Sequence, residues 1–358
     1  MQTKMRWNRD KAVDVLFWGG VSCLLTYVLS LQCPVNFWLL LTATWGFTAG
    51  TLLYFSSITL PADMKCVLIT GCDTGIGHAL ALHLHDQGFR VFAGCLLADT
   101  GGEGAQKLRG LGSSRLHILQ MDVTQQEQIE DALQQIKKLI PEGESLWALV
   151  NNAGVTAFGE VEWVPLETYR RVTDINLFGL IAVTKAFLPL IRRSQGRVVN
   201  IASVCGHITR PGLSPYVLSK FAMEGFSDCL RHEMKPWGVD VCIIEPCNYS
   251  AATQITTEEQ VLRQGDSMWT KMDEGVREDY GREYFDFVIN IAKMHCKSGL
   301  SNLQPVLESI SEAVTQKYPR ARYRPITHYY FVKLFIATHL PEWVFSLFYI
   351  SSKRRILR

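Results

Sequence analysis

Tyr216 and Lys220 stand four residues apart in Tyr216-Val217-Leu218-Ser219-Lys220, a spacing that brings a phenol and an amine to one face of a helix. Alone, such a pair is a common accident, two helix residues whose long side chains reach solvent. Here it has company. Ser203 follows the apolar run 197–202, Asn176 lies in Asp174-Ile175-Asn176-Leu177, and Asn151-Asn152-Ala153-Gly154 closes another apolar run. Upstream, Thr70-Gly71-Cys72-Asp73-Thr74-Gly75-Ile76-Gly77 follows a first apolar run and opens a helical stretch. Glycines there let the backbone turn tightly and let a pyrophosphate reach the unpaired N–H groups of the helix N-terminus. A glycine-rich turn by itself is a plain strand-to-helix loop. In this order, with hydroxyl, phenol and amine downstream, it marks a nucleotide site beside groups that carry protons.

These groups need a scaffold. Short apolar runs at 66–70, 90–95, 116–121, 147–151, 197–202 and 239–245 read as strands. They are continuous rather than alternating, as expected of strands covered on both faces. Stretches such as 75–87 and 125–139 between them are long enough for crossover helices, so the pattern predicts an α/β fold, a doubly wound parallel sheet of Rossmann type. After Thr253 the pattern loosens. The charged stretch 258–297 reads as helical, and 328–348 as a helix pair over the substrate pocket or a surface helix that dips into lipid.

The chain has 358 residues with 36 Lys+Arg against 34 Asp+Glu, a formal net charge of +2. That balance excludes a strongly basic nucleic-acid binder, and 47% hydrophobic residues exclude a disordered chain. Ten cysteines without a CxxC pair make neither a disulfide framework nor a zinc site, and a reducing compartment suits the catalytic part. His78, His83 and His85 share one helical stretch, but the last two point to different faces, so no metal is expected. The segment between Asp14 and Asp63 carries no charged residue. Its two apolar runs, 15–31 and 37–55, are each near the length that crosses a bilayer, with Pro34 and Asn36 in the turn between them. The expected organisation is therefore a basic leader over 1–14, a membrane hairpin over 15–58, a catalytic domain over 64–255 and a helical lid and amphipathic extension over 256–358.

The cofactor is usually decided at the end of the second strand, where an acidic residue binds the ribose of NAD and a basic one accepts the phosphate of NADP. Here that turn reads Gly94-Cys95-Leu96-Leu97-Ala98-Asp99. It carries no basic residue, which favours NAD over NADP, with Asp99 the candidate ribose ligand.

Taken together the motifs resemble those of the short-chain dehydrogenase/reductase family over roughly 65–253. The family's Thr-Gly-x-x-x-Gly-x-Gly turn is similar to Thr70, Gly71, Gly75, Ile76 and Gly77 as they stand here, and its Asn-Asn-Ala-Gly to Asn151, Asn152, Ala153 and Gly154. The resemblance implies a tetrad of Asn176, Ser203, Tyr216 and Lys220, with Asp122 and Val123 at the adenine and Pro246 and Thr253 facing the nicotinamide. It implies that Tyr216 exchanges a proton with a hydroxy or keto substrate while hydride moves to or from the nicotinamide. Lys220 would lower the phenol's pKa from its usual value of about 10. Ser203 would steady the substrate oxygen, and Asn176 would anchor a water chain. One departure is Cys247 where the family has Gly after Pro246; another is Ala251 at the usual threonine position, two residues before Thr253.

Within the family, Gly159-Glu160-Val161-Glu162, Phe226-Ser227-Asp228-Cys229-Leu230-Arg231 and Thr338-His339-Leu340-Pro341 are most similar to the type 1 (R)-3-hydroxybutyrate dehydrogenases of the mitochondrial inner membrane. The N-terminal hairpin is more like that of hydroxysteroid dehydrogenases (17β and 11β type), and retinol dehydrogenases are a further likeness, with the endoplasmic reticulum membrane as the alternative location. The resemblance also implies a homo-oligomer and contact with membrane lipid. The compact bacterial hydroxybutyrate enzymes bind the carboxylate with a His and a Lys at positions held here by Cys205 and Leu213. A carboxylate substrate would thus need another cation; Arg210, His207 (read otherwise as a plain loop residue) and the C-terminal basic residues are the candidates. A different reading is a binding protein of this fold without catalysis, which predicts that Tyr216→Phe changes nothing.

Overall fold

The computed structural model describes residues 9–32, 36–253 and 255–350. The leader's Lys4 and Arg6, the Cys33-Pro34-Val35 turn and the tail's Lys353, Arg354, Arg355 and Arg358 lie outside the described residues.

Two helices, α1 (Arg9–Ser30) and α2 (Phe37–Ser57), pack against each other. Both are long and apolar enough to cross a membrane, and no residue of α2 is buried. Polar groups pair between them: Ser22 with Thr48 at 3.3 Å, Thr26 with Thr44 at 3.2 Å, and Trp45 Nε1 donates to Val15 O. The outward faces of the pair carry mostly apolar side chains, a surface consistent with lipid.

The body is a parallel sheet in the order β3-β2-β1-β4-β5-β6-β7. Its elements run β1 (Lys65–Thr70), α3 (Gly75–Asp86), β2 (Arg90–Cys95), α4 (Glu103–Arg109), β3 (Leu116–Gln120), α5 (Gln126–Leu139) and β4 (Ser145–Asn151). Then come α6 (Leu166–Thr173), a π-helical turn (Asp174–Gly179), α7 (Leu180–Arg193), β5 (Arg197–Ile201), α8 (Ser214–Met234) and β6 (Asp240–Ile244). The chain order reverses between β1 and β4, and this switch point opens a crevice at the carboxyl ends of the strands. Strands β1 and β5 are buried along nearly their whole length because helices cover both faces, which explains their unbroken apolar runs. The helix over α6–α7 is also long and apolar, but its buried Val183, Phe187 and Ile191 pack with Leu149 and Val198 of the sheet. It is a core helix, not a span.

The C-terminal part is α9 (Ser250–Thr253), α10 (Glu258–Lys271), α11 (Glu274–Cys296), α12 (Gln304–Thr315), β7 (Arg322–Tyr323), α13 (His328–His339) and α14 (Glu342–Tyr349). The helical stretch 258–297 is two helices, and 328–348 is broken at Leu340-Pro341, where proline cannot continue a helix. The sequence pattern gives no sign of β7, a two-residue edge strand paired with Ile243 and Ile244. Together with α12, which packs on α3, it joins the sheet body although it lies in the stretch read as lid. Ion pairs Lys11–Glu312 and Arg320–Asp14 tie the base of α1 to this same segment.

Candidate active site

The turn after β1 shows why it is built from glycine. Gly75 has φ +60, and a Cβ there would lie 2.7 Å from Thr253 O; at Gly77 it would lie 2.2 Å from Gly71 O. Any larger residue would fill the cradle that a pyrophosphate needs. Thr70 Oγ1 accepts from the N–H groups of Asn152 and Ala153, while Asn152 Nδ2 donates to Thr70 O and Gly71 O. The two motifs thus brace each other at the switch point. Gly71, Gly75, Ile76, Asp122, Val123, Asn152, Ala153, Gly154, Pro246 and Thr253 all line one cavity of about 760 Å³, together with Ser203, Tyr216 and Lys220. These residues fit a dinucleotide. Thr70 and Gly77 stand just behind the lining, and Thr253 Oγ1 donates to Tyr249 O.

Asp99 is not among the lining residues, a correction to the expected ribose ligand. The turn after β2 carries it onward, and its N–H donates to Gln120 Oε1. The acid at this end is Asp73, whose carboxylate accepts from Leu96 N at 2.8 Å and Leu97 N at 3.0 Å. Sequence reasoning passed over it because it belongs to the glycine turn rather than to β2.

Asn176 lies in the π-helical turn and is fully buried. Its Oδ1 accepts from Val155 N, and its Nδ2 donates to Val155 O and Ser219 Oγ. The side chain therefore locks the loop after β4 to α8. Such single wide turns commonly mark functional sites. Ser203 leaves β5 in extended backbone; its Oγ accepts from Cys205 N and donates weakly to Pro246 O at 3.4 Å. Cys247 takes an ordinary backbone conformation and is buried with its thiol toward Pro325 O at 3.8 Å. Its φ lies outside the positive region that favours glycine.

Tyr216 and Lys220 share a face of α8, with Lys220 Nζ 5.6 Å from the phenol ring centroid. Desolvation pushes the half-buried Tyr216 hydroxyl well above its ordinary pKa, the neighbouring Cys205 adds to this, and the Ser203 hydroxyl opposes it. The Lys220 ammonium beside this ring donates to Ile201 O at 2.7 Å. Burial draws Lys220 itself down to about 8, against the raising pull of Glu224.

Farther along the cavity stand Arg210, His295, Tyr329, Tyr330 and Lys333, brought by the loop before α8 and by α11 and α13. Arg210 Nη1 lies 3.2 Å from His295 Nε2. Burial and then Arg210 hold His295 down to about 4, so it is neutral near pH 7. Burial lowers Lys333 as well, with Arg210 adding to the effect, and its ammonium sits over the rings of Tyr349 and Phe345. His207 is no plain loop residue: its Nε2 lies 3.4 Å from Glu245 and 3.7 Å from Glu224.

With this geometry in view, the likenesses are informative. The family model described as short chain dehydrogenase matches residues 65–261. The chain is 43% identical over 306 residues to the mitochondrial D-beta-hydroxybutyrate dehydrogenase of Mus musculus, covering 85% of this chain and 89% of that one. It is 39% identical over 330 residues to estradiol 17-beta-dehydrogenase 2 of Mus musculus, covering 88% and 81%. Among solved structures, a short chain dehydrogenase/reductase from Burkholderia phymatum in complex with NAD superposes with a TM-score of 0.61 at 19% identity, covering 77% of this chain and 93% of that one, a likeness of fold. The chain belongs to the short chain dehydrogenase family and is an oxidoreductase.

Proposed function

We propose that the protein is a membrane-anchored, NAD-dependent dehydrogenase that interconverts (R)-3-hydroxybutyrate and acetoacetate, working through Tyr216, Lys220, Ser203 and Asn176. One observation carries the substrate: the two ends of the cavity differ in charge. Arg210 and Lys333 line the cavity within electrostatic reach of Cys205, two residues past Ser203, while the lining carboxylates Asp73 and Asp122 belong to the glycine turn and the end of β3. A buried carboxylate without a partner is costly, so a hydroxy acid requires such cations and a steroid does not. The relatives named for hydroxybutyrate agree with this reading.

When bound, NAD supplies the hydride acceptor for the carbinol carbon. Everything else falls to the chain. Tyr216 takes the alcohol proton on its phenolate oxygen and returns it in the reverse direction. Ser203 hydrogen-bonds the substrate oxygen as charge develops. Lys220 keeps positive charge beside the phenol and holds the cofactor ribose, and Asn176 positions α8 against the loop after β4. Asp73, with no Arg or Lys lining its end of the cavity, favours NAD over NADP by repelling a 2′-phosphate. The hairpin over 15–58 anchors the catalytic domain over 64–255 to a membrane, with 256–358 as lid, and relatives named mitochondrial favour the mitochondrial inner membrane over the endoplasmic reticulum. Exposed Phe178, Leu218 and Phe221 support a homo-oligomer.

A second reading, a hydroxysteroid or retinol dehydrogenase, draws on Phe158, Val261, Val288 and Ile291, apolar residues that also line the cavity. The two separate cleanly. The full chain in phospholipid vesicles is assayed with NAD on (R)-3-hydroxybutyrate, estradiol and retinol. Turnover of the hydroxy acid is expected; turnover of either lipid without it would replace the first reading by the second.

A further inference from the structure

Helix α8 carries Tyr216, Lys220, Glu224 and Asp228 at strict four-residue spacing, so its catalytic face continues into a row of acids. Both Lys220 and Glu224 are buried, one turn apart. Glu224 meets charges from three other elements. His207, in the loop after Ser203, brings Nε2 to 3.7 Å of its Oε2. Arg322, on β7, brings Nη2 to 3.2 Å. Glu245, at the end of β6 and without solvent exposure, faces the same space. It is held by Arg322 Nε at 3.0 Å, Arg324 Nε at 2.8 Å and His207 Nε2 at 3.4 Å. Asp228 closes the row on Arg322 at 2.7 Å and also pairs with Arg231. Lys220 lies one helical turn from both Tyr216 and Glu224, with its Nζ donating to Ile201 O at 2.7 Å.

The ligand atoms of His207, Glu224 and Glu245 lie within 4.8 Å of one another, but Arg322 stands against both carboxylates and supplies the cation there. The arrangement has another consequence. Three carboxylates, Glu224, Glu245 and Asp228, meet three guanidiniums, but Asp228 also has Arg231 and Glu245 also has Arg324, whereas Glu224 has only a share of Arg322. Glu224 Oε1 is buried without a hydrogen-bond partner. Burial and then Glu245 push Glu224 up to about 7, so it is a carboxylate whose charge is contested. The cluster lies directly behind the catalytic groups: Glu245 precedes Pro246, whose carbonyl accepts from Val204 N and Ser203 Oγ, and His207 follows four residues after Ser203.

We propose that Glu224 is a positioning residue for the reaction, its carboxylate holding Lys220 as an ammonium beside Tyr216, while His207, Glu245 and Arg322 hold that carboxylate in place. The inference rests on Tyr216 and Lys220 being the working pair. An ammonium that keeps its proton at high pH keeps favouring the phenolate; one deprived of its counter-charge loses the proton sooner.

The test is the pH profile of NAD-dependent oxidation by the full chain in vesicles, using (R)-3-hydroxybutyrate, or estradiol if that is the alcohol turned over. In Glu224→Gln the alkaline limb of kcat moves down by about one pH unit, so turnover at pH 9 falls about tenfold while that at pH 6.5 stays within about twofold. NADH binding followed by fluorescence shifts along the pH axis in the same direction. Glu224→Asp restores most of the profile. If Glu224→Gln fails to fold, Glu224→Gln combined with Arg322→Met removes the unpaired guanidinium and carries the same prediction. A profile superimposable on the parent, or an equal loss at every pH, overturns the proposal. Tyr216→Phe is run alongside. If it is inactive and the Glu224 profile is unmoved, this inference alone fails; if Tyr216→Phe keeps full turnover, the underlying reading fails with it.

Discussion

The two ends of the cavity are built on different physics. The glycine-turn end is made mostly of backbone: the β1 turn, the N-terminus of α3 and the Asn152 brace leave room and donors for a pyrophosphate, and two acids complete it. The far end is made of side chains from α11, α13 and the loop before α8, where Arg210 and Lys333 gather against apolar walls. The first end is set by strand order and is common to a fold; the second can change with a handful of residues while the sheet stays as it is. Cofactor chemistry and substrate choice are therefore separable in this chain.

That separation can be broken at several points. The largest effect belongs at the centre, where both ends need Tyr216. Tyr216→Phe should lower turnover by roughly 10²–10⁴-fold, the usual scale for a lost general acid–base group, with NADH binding by fluorescence nearly unchanged. Next comes the far end. Arg210→Met or Lys333→Met should raise KM for the hydroxy acid by roughly 10–100-fold, the worth of one charge-assisted hydrogen bond, and leave the KM for NAD alone. At the glycine-turn end, Asp73→Ser should shift the NAD to NADP preference in kcat/KM by about tenfold toward NADP, with no change in KM for the hydroxy acid. Because desolvation holds Tyr216 protonated, oxidation should speed up as pH rises until Lys220 loses its proton, whereas reduction should stay nearly level below neutrality, measured as initial rates in the two directions. The smallest effect is expected for Cys247→Gly: the position has no positive φ to relieve, so thermal unfolding should show at most about 1 kcal/mol of destabilisation.

The glycine-turn end was legible from the sequence because its requirements are local. A strand, a turn that tolerates only glycine, and a helix must follow one another, and Asn152 must come at the end of the next central strand. That Tyr216 and Lys220 share a face of α8 could be read for the same reason, since they are one helical turn apart. Asp73 escaped because its hydrogen bonds to Leu96 and Leu97 depend on β2 lying beside β1, a contact between residues more than twenty positions apart. Strand β7 escaped because two residues carry no periodicity. The Arg210–His295–Lys333 end was only a guess about cations, as these residues come from three elements and meet solely in the folded chain. His207 looked like a loop residue because the partners that define it, Glu224 and Glu245, lie 17 and 38 residues downstream.

The most direct test of the account compares (R)-3-hydroxybutyrate with its uncharged methyl ester, each oxidised with NAD by the parent chain and by Arg210→Met/Lys333→Met in phospholipid vesicles. The predicted result is a strong preference of the parent for the acid that the double variant loses. A parent that oxidises the ester as well as the acid, or a double variant that keeps the preference, would contradict it.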